Sequence, residues 1–281
     1  MTLAKHSTLD SADTIDVARR FGGVLRLYGA DGLAKLQSAH ICVIGIGGVG
    51  SWAAEALARN AVGTITLIDL DNIAESNVNR QLHAVDGAFG KAKVTAMRER
   101  IHGINPLAAV HEIEDFVTLE NVGVMLARNY DGVIDCIDDA KAKMAIAAFC
   151  KTHDIPLVTT GGAGGRLDPT RIKLADLSLV TGDRLLAKVR NGLRRDYAFP
   201  KGQDLTNNAA NRNKTAKLKS LLFGITAVYS DETVMQPDRT CEPVDSAVTG
   251  LNCAGYGSSV CVTAPFGFAA TAALLSKLLQ A

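Results

Sequence analysis

The sequence predicts an α/β fold, a Rossmann-like, mostly parallel and doubly wound sheet, from three neighbouring features. An apolar run at residues 41–46 leads into a glycine cluster, and a helical pattern begins at Ser51. A second apolar run at residues 64–68 then ends on Asp69. A strand, a glycine turn, a helix and a strand with an acidic tip form the opening βαβ unit of a nucleotide-binding sheet.

The glycine turn contains Gly45, Gly47, Gly48 and Gly50. Glycines let backbone N–H groups approach phosphate oxygens, and the N-terminus of the following helix favours an anion. Asp69 lies about twenty residues further on, where an acidic side chain binds ribose hydroxyls. On the glycines alone, a dinucleotide dehydrogenase and a turn kept only for strand–helix packing remain open.

The polar residues after the second strand favour a triphosphate site. Asp71, Asn77 and Arg80 follow Asp69, and Lys93 lies in the first turn of the next predicted helix. A hydride-transferring site does not require an Asn and an Arg at this place, whereas a triphosphate with its metal carries more charge to neutralise. A lysine in the first turn of a helix opposes the helix dipole, so we expect an anion at that helix end.

The later segments continue the alternation of strands and helices. Strands are predicted at residues 107–113, 132–137, 156–160 and 171–176, and helices at residues 51–60, 90–102, 140–153 and 183–195. Asp139 is placed to cap the helix at 140–153. The glycine-rich residues 161–165 follow the fifth strand at the sheet edge where ligands bind. They either approach a ligand, for which the acyl substrate is the expected candidate, or form a crossover turn with positive φ.

The length favours one large domain over two small ones. We expect a single domain at residues 1–281, with a nucleotide-binding core at 1–176, a basic insertion at 177–245 and a C-terminal strand and helix at 246–281. Residues 260–275 are apolar but contain Pro265 and Gly267, and they are short for a bilayer span of about twenty residues. A buried strand that turns into a core helix is therefore expected, and membrane association is not.

The charge is unevenly distributed although the net charge is only +1. Residues 184–219 hold ten basic and two acidic residues, whereas the rest of the chain holds twenty basic and twenty-seven acidic ones. A basic segment on an acidic body is typical either of a polyanion-binding surface, with RNA as the natural partner, or of a solvated flexible loop. The candidate RNA-binding residues are Arg190, Arg194, Arg195, Lys214, Lys217 and Lys219.

The six cysteines have no paired CxxC spacing, and Cys42 and Cys136 fall in predicted buried strands. This pattern argues for a reducing compartment, the cytoplasm, and against a disulfide scaffold or a structural zinc site. The first sixteen residues have no signal-peptide pattern. Cys241 lies on a predicted loop after the fifth strand and is the candidate for an exposed reactive thiol, whereas Cys253 and Cys261 are interpreted as structural.

Together these motifs resemble the E1-like, adenylating superfamily of ubiquitin-type activators. The matching residues are 45–51, 69–71, 76–81, Lys93 and 135–138. Within that superfamily the chain is most similar to the tRNA threonylcarbamoyladenosine dehydratase branch, through residues 20–29, 48–59, 156–165 and 262–268. The resemblance covers most of the chain and weakens at about residues 177–245. It implies the E1-like adenylating fold with a C-terminal α/β extension.

The resemblance implies that ATP lies on the glycine turn with its ribose on Asp69 and with Asp71 nearby. Arg80, Lys93 and Asn77 are then the phosphate ligands, and Asp138 holds Mg²⁺. The threonine carboxylate of threonylcarbamoyladenosine in tRNA is adenylated, and the modification closes into a ring with net loss of water.

The resemblance also implies a homodimer in which an arginine from the N-terminal region reaches the partner's ATP. Gly23 stands where that motif has an arginine, so Arg20 or Arg26 is the expected substitute. Many relatives continue through a cysteine thioester, for which Cys241 is the candidate. A cysteine desulfurase or a sulfur-acceptor protein is a further expected partner.

Three alternatives stay open at this point. The first is adenylation of the C-terminal glycine of a ubiquitin-like sulfur carrier, against which the missing zinc cysteines and the basic segment count. The second is an NAD-dependent oxidoreductase, disfavoured by the set Asn77, Arg80, Lys93 and Asp138. The third is a non-enzymatic nucleotide-binding adaptor, disfavoured by the same set.

Overall fold

The computed structural model describes residues 15–201, 221–236 and 256–280. In them the chain forms a seven-stranded sheet with the order β3-β2-β1-β4-β5-β7-β6. Its strands are β1 His40–Ile44, β2 Thr64–Ile68, β3 Ala109–Ile113, β4 Gly132–Asp135, β5 Leu157–Thr160, β6 Ile172–Asp176 and β7 Thr226–Ser230. The pairs are parallel except β6 with β7. The predicted, mostly parallel sheet is confirmed.

Helices cover both faces of the sheet. They are α1 Val17–Ser38, α2 Gly50–Arg59, α3 Lys93–Ile104, α4 Val122–Leu126, α5 Ala140–Thr152, α6 Arg184–Asp196 and α7 Val260–Gln280. Gly29 interrupts α1 with a φ of 76°. Asp139 caps α5 as predicted, because its carboxylate accepts a hydrogen bond of 2.7 Å from the Ala142 N–H.

The two faces carry separate apolar cores. Residues of α1, α2, α3 and α7 form one core, and residues of α4, α5 and α6 form the other. Along β1, Ile41 and Val43 belong to the first core, and Cys42 and Ile44 belong to the second. A strand buried on both faces reads as a continuous apolar run, which explains residues 41–46. Burying each such aliphatic side chain contributes about 1.5–3 kcal/mol.

The direction of winding reverses between β1 and β4. The chain moves from β1 to β2 and β3 on one side, and β4 and β5 follow on the other side of β1. The carboxyl ends of β1 and β4 therefore border the crevice at the topological switch point, where open α/β sheets bind ligands. The glycine turn follows β1, and Cys136, Ile137 and Asp138 follow β4.

Two predictions about the second half of the chain are wrong. The described part of residues 177–245 is more than an insertion, because β7 is an inner strand between β5 and β6 and α6 packs against α5. Residues 260–275 form no strand, because α7 is helical throughout and contains Pro265. Its small residues allow close packing on α2, since a Cβ on Gly267 would lie 2.5 Å from the Val49 carbonyl oxygen.

Among the described residues, α7 is the helix that is long and apolar enough to span a membrane. Half of its most apolar window is buried inside the protein. The Thr271 hydroxyl also donates to the Ala53 carbonyl of α2. These contacts are those of a core helix. Cys261, in the first turn of α7, is exposed, which corrects its interpretation as a structural cysteine.

Candidate active site

A cavity of about 1090 Å³ opens at the carboxyl edge of the sheet. It is lined by three of the turn glycines and by residues predicted for ATP and its metal: Gly45, Gly47, Gly48, Asp69, Asp71, Arg80, Lys93 and Asp138. The glycine-rich residues 161–164 line the same cavity. The fold thus brings together side chains from the ends of β1, β2, β4 and β5.

The glycine turn is tight because backbone packs directly on backbone. Gly45 has a φ of 83°, a conformation that favours glycine, and a Cβ there would contact Ile137 at 2.9 Å. A Cβ on Gly50 would lie 1.8 Å from the Gly45 carbonyl oxygen. Gly50 itself does not line the cavity. The turn requires a residue without a side chain at position 50. In this conformation of the turn, Gly47 and Gly48 line the cavity.

Asp69, Asp71 and Lys93 form one charged cluster beneath the turn. Asp69 accepts backbone hydrogen bonds from Ile46 at 2.6 Å and from Asp71 at 2.9 Å. The Lys93 ammonium lies 2.6 Å from the Asp71 carboxylate and 3.9 Å from that of Asp69. Burial raises the pKa of Asp69, and the nearby Lys93 ammonium opposes that rise.

The cluster explains how a lysine is held near the start of α3. Lys93 and Asp69 are each only 7% exposed at the side chain, whereas Asp71 is 54% exposed. The carboxylates are thus the anions at that helix end within the folded chain. Because Asp71 reaches into solvent, an incoming phosphate can compete with it for the Lys93 ammonium.

Arg80 covers the outer side of the glycine turn. Its aliphatic carbons lie over Gly48, and its guanidinium donates to the Ser76 carbonyl at 2.8 Å and to the Asn79 side-chain oxygen at 3.0 Å. Burial lowers its pKa. Asn77 does not line the cavity, because its side-chain oxygen accepts from the Ala74 N–H at 3.1 Å. The structure therefore places Arg80 at the site and Asn77 behind it.

Asp135 ends β4 and Asp138 follows it, and the two side chains lie in different environments. Asp138 is exposed and lines the cavity. Asp135 is fully buried and pairs with the equally buried Lys143 at 3.0 Å. Thr159 of β5 donates to the same Asp135 carboxylate at 2.8 Å. This network fixes the end of β4, from which the chain leads to Asp138.

The chemistry of Asp138 fits a magnesium ion. Mg²⁺ is bound in nucleotide sites through one or two carboxylates, phosphate oxygens and water. The described residues contain no group of three or more His, Cys, Asp or Glu side chains suited to a metal. The exposed Asp138 carboxylate therefore suits a cation held mainly by a nucleotide's phosphates.

Sequence reasoning missed a buried Arg–Asp pair behind the glycine-rich loop. The Arg166 guanidinium lies 3.2 Å from the Asp183 carboxylate, and both side chains are almost fully buried. Asp183 also accepts from the Gly162 N–H at 2.9 Å. A Cβ on Gly161 would lie 2.3 Å from the same carboxylate. The pair fixes the loop, and the only sequence signal was an arginine directly after five small residues.

Cys136 and His83 are not reactive groups in this arrangement. Burial raises the pKa of the Cys136 thiol to about 12, although this cysteine borders the cavity. Burial lowers the pKa of His83 to about 4, so its imidazole is neutral and donates through Nε2 to the Ile46 carbonyl at 3.0 Å. His83 supports the glycine turn from behind.

Several predicted residues lie outside the cavity. The Arg20 guanidinium donates to the Ile104 carbonyl at 2.7 Å, and Arg26 is exposed on α1. Arg190 and Arg194, which were predicted to bind RNA, have partners within the protein. Arg190 donates to the Val180 carbonyl, and Arg194 donates to the Pro200 and Ser178 carbonyls and lies over the Phe223 ring.

Arg195 is exposed and lines the cavity. The other candidates for RNA binding, Lys214, Lys217 and Lys219, lie outside the described residues. Cys241, the candidate reactive thiol, and Cys253 also lie outside them.

Comparison with known proteins gives consistent matches. A family model described as the ThiF family matches residues 21–180. A tRNA threonylcarbamoyladenosine dehydratase of Haemophilus influenzae is 48% identical over 263 residues, which are 93% of this chain and 94% of that protein. The crystal structure of the Escherichia coli tRNA N6-threonylcarbamoyladenosine dehydratase in complex with ATP has a TM-score of 0.80 at 42% identity. The match covers 94% of this chain and 95% of the other. The same enzyme in complex with AMP gives the same score and coverage.

Proposed function

This chain belongs to the ThiF family, and from that premise we propose that it is an ATP-dependent dehydratase of threonylcarbamoyladenosine in tRNA. The arrangement that carries the proposal is the cluster of Lys93, Asp69 and Arg80 around the glycine turn, with Asp138 across the same cavity. Complexes of a similar enzyme with ATP and with AMP support a reaction that converts the one nucleotide into the other.

The reaction begins at the threonine carboxylate of the modified nucleoside. A carboxylate oxygen attacks the α-phosphorus of ATP in line, the bond to the β-phosphate oxygen breaks, and pyrophosphate leaves. The carbamoyl group then attacks the activated acyl carbon and loses its proton, the acyl carbon–oxygen bond breaks, and AMP leaves as the ring closes. The net change in the nucleoside is the loss of one water.

The protein's contribution is positioning and charge neutralisation. The N–H groups of the turn and the Lys93 ammonium face the phosphates, and Arg80 moves from its carbonyl partners to the triphosphate. Asn77 supports Arg80 and the connection that follows β2. Asp138 would hold Mg²⁺, which neutralises charge that develops on the departing pyrophosphate.

We further propose a cytoplasmic homodimer. Arg20 and Arg26 are exposed and lie outside their own cavity, which is the placement that contact with a partner's ATP requires. We also propose a cysteine desulfurase or a sulfur-acceptor protein as a partner. Intramolecular ring closure does not require a thioester at Cys241.

The test is pyrophosphate release from ATP with three acyl donors. These are tRNA from cells that lack the protein, tRNA without the threonylcarbamoyl group, and a ubiquitin-like sulfur carrier with a C-terminal glycine. We expect release only with the first, together with a product nucleoside that is lighter by one water in mass spectrometry. Release with the carrier and not with modified tRNA would overturn the proposal, and an unchanged nucleoside mass would do the same.

A further inference from the structure

One face of α6 carries a stripe of exposed polar residues. Arg184, Lys188, Asn191 and Arg195 are spaced by four, three and four positions, which places them on the same side of a helix, and all four are exposed. The opposite side is buried through Leu185, Leu186, Val189 and Leu193. At 1.5 Å per residue, Arg184 and Arg195 are about 17 Å apart along the helix axis.

Both ends of this stripe border the active-site cavity. Arg184 and Arg195 line it, as do Tyr197 just beyond the end of α6 and Tyr256 before α7. The Arg184 guanidinium lies 3.5 Å from the Tyr256 hydroxyl. Lys141, exposed in the first turn of α5, lines the cavity on the same side. The cavity lining at α5 and α6, together with Tyr256, therefore presents three cations and two aromatic rings.

Another part of the cavity lining carries negative charge. The segment after β3 brings the carboxylates of Asp115 and Glu120 to the cavity. At the end of α6, Asp196 pairs with Arg195 at 2.7 Å. A polyanion that approaches this cavity is repelled by the segment after β3 and attracted to α6.

The proposed reaction requires such a polyanion at the rim. Because the reacting carboxylate is attached to the base, the nucleotide must turn out of its strand and insert the base into the cavity. The phosphates on either side of that nucleotide then stay at the mouth of the cavity. They need cations there, and the neighbouring unstacked bases need flat side chains on which to stack.

We propose that the exposed face of α6 is the surface that binds the RNA backbone beside the modified nucleotide. Arg184, Lys188 and Arg195 contact successive phosphates, Lys141 contacts the strand where it enters the cavity, and Tyr197 and Tyr256 stack on flanking bases. This inference rests on the proposed function, since it takes tRNA as the substrate. It replaces Arg190 and Arg194, whose guanidinium groups bind backbone carbonyls inside the protein.

The test compares variants of α6 with a variant at the far edge of the sheet. Arg184→Ala, Arg195→Ala and the triple variant that adds Lys188→Ala remove the stripe without touching the apolar face. Arg128→Ala is the matched control, because Arg128 is exposed and precedes β4 at the edge opposite the cavity. Binding of fluorescently labelled tRNA is measured by anisotropy between 50 and 200 mM salt, and turnover is measured in parallel.

We expect each single arginine variant to weaken tRNA binding by about 5–10-fold and to lower the slope of log Kd against log salt by about 0.7–0.9. The triple variant should lose about two units of slope while its KM for ATP stays within about twofold of the wild type. A triple variant with the Kd and the slope of Arg128→Ala would overturn the inference.

The outcomes separate this inference from the proposed function. If the wild type binds tRNA but makes no product from ATP, the proposed function fails and the comparison of Kd values still tests α6. If the wild type makes product and the α6 variants bind normally, the proposed function stands and the RNA-binding surface is elsewhere. If the wild type binds no tRNA, both are refuted.

Discussion

The buried Lys143–Asp135 pair gives a prediction that can be worked through from the structure. Both side chains are fully buried, and the Lys143 ammonium donates to the Asp135 carboxylate at 3.0 Å, to the Asp135 carbonyl at 3.2 Å and to the Thr159 hydroxyl at 3.1 Å. Lys143→Met keeps a similar length of aliphatic chain and removes the ammonium. The Asp135 carboxylate then keeps its bonds from Thr159 and from the Ile137 N–H but has no countercharge.

Removing one member of a buried ion pair destabilises a protein by about 3–5 kcal/mol, because the other charge stays buried. We expect Lys143→Met to lose that amount, a large share of the roughly 5–15 kcal/mol that stabilises a typical domain. Lys151→Met is the control, since Lys151 is exposed at the other end of α5 and should change stability by less than about 0.5 kcal/mol.

The assay is urea-induced unfolding at equilibrium, followed by circular dichroism, with the slope m compared between variants. A third variant, Lys143→Met with Asp135→Leu, removes both charges and should be more stable than Lys143→Met alone. If Lys143→Met lies within 1 kcal/mol of Lys151→Met, the pair does not hold the end of β4 in the way described, and the reasoning is refuted.

Three further predictions follow from the same site. Gly50→Ala should weaken ATP binding at least tenfold, because its Cβ would lie 1.8 Å from the Gly45 carbonyl oxygen, whereas Gly103→Ala, with open space around the new methyl group, should bind normally in calorimetry. The pKa of His83 falls from 6.5 in the unfolded chain to about 4 in the folded protein, so its contribution to stability is full above pH 6.5 and is lost as the pH falls toward 4. Urea unfolding should give a stability ~2 kcal/mol lower at pH 5 than at pH 7 from this residue, and His83→Gln should remove that part of the difference. Asp138→Asn should lower kcat by about 100-fold or more and raise the magnesium concentration needed for half-maximal turnover, and an unchanged magnesium titration would contradict the assignment.

The first half of the site was predictable because its signals are local or follow from topology. The glycine turn and Asp69 belong to one βαβ unit, so their spacing in sequence sets their spacing in the fold. Asp138 follows β4, and Lys93 begins α3. Both lie at the same edge of the sheet, because parallel strands have their carboxyl ends at one edge. Asp139 was predictable because a cap depends only on the first turn of its own helix.

Buried charges were not predictable because their partners are distant in sequence. Asp183 was placed at the start of a helix, which is correct, but its pairing with Arg166 depends on how α6 packs beside the loop after β5. Arg190 and Arg194 belong to a basic helix in the sequence, yet backbone carbonyls bind both of them. The solvated face of such a helix can be identified only after its apolar face has been assigned to a core.

The type of the last element was wrong because pattern alone does not separate a short apolar strand from a buried helix. Residues 260–275 lack polar positions with a clear period, and Pro265 and Gly267 disfavour a continuous helix. Close packing on α2 stabilises α7 in spite of them. β7 was hidden for a different reason, since its five residues follow a segment, 201–219, that is rich in basic and amide side chains and was interpreted as a loop.

The most direct test of the adenylation mechanism follows the carboxylate oxygen itself. Modified tRNA that carries ¹⁸O in both oxygens of the threonine carboxylate is incubated with ATP and the protein, and the nucleotide products are analysed by mass spectrometry. Attack of the carboxylate on the α-phosphorus predicts one ¹⁸O atom in AMP for each ring closed, with unlabelled pyrophosphate. Unlabelled AMP, or label in inorganic phosphate alongside ADP, would contradict the mechanism.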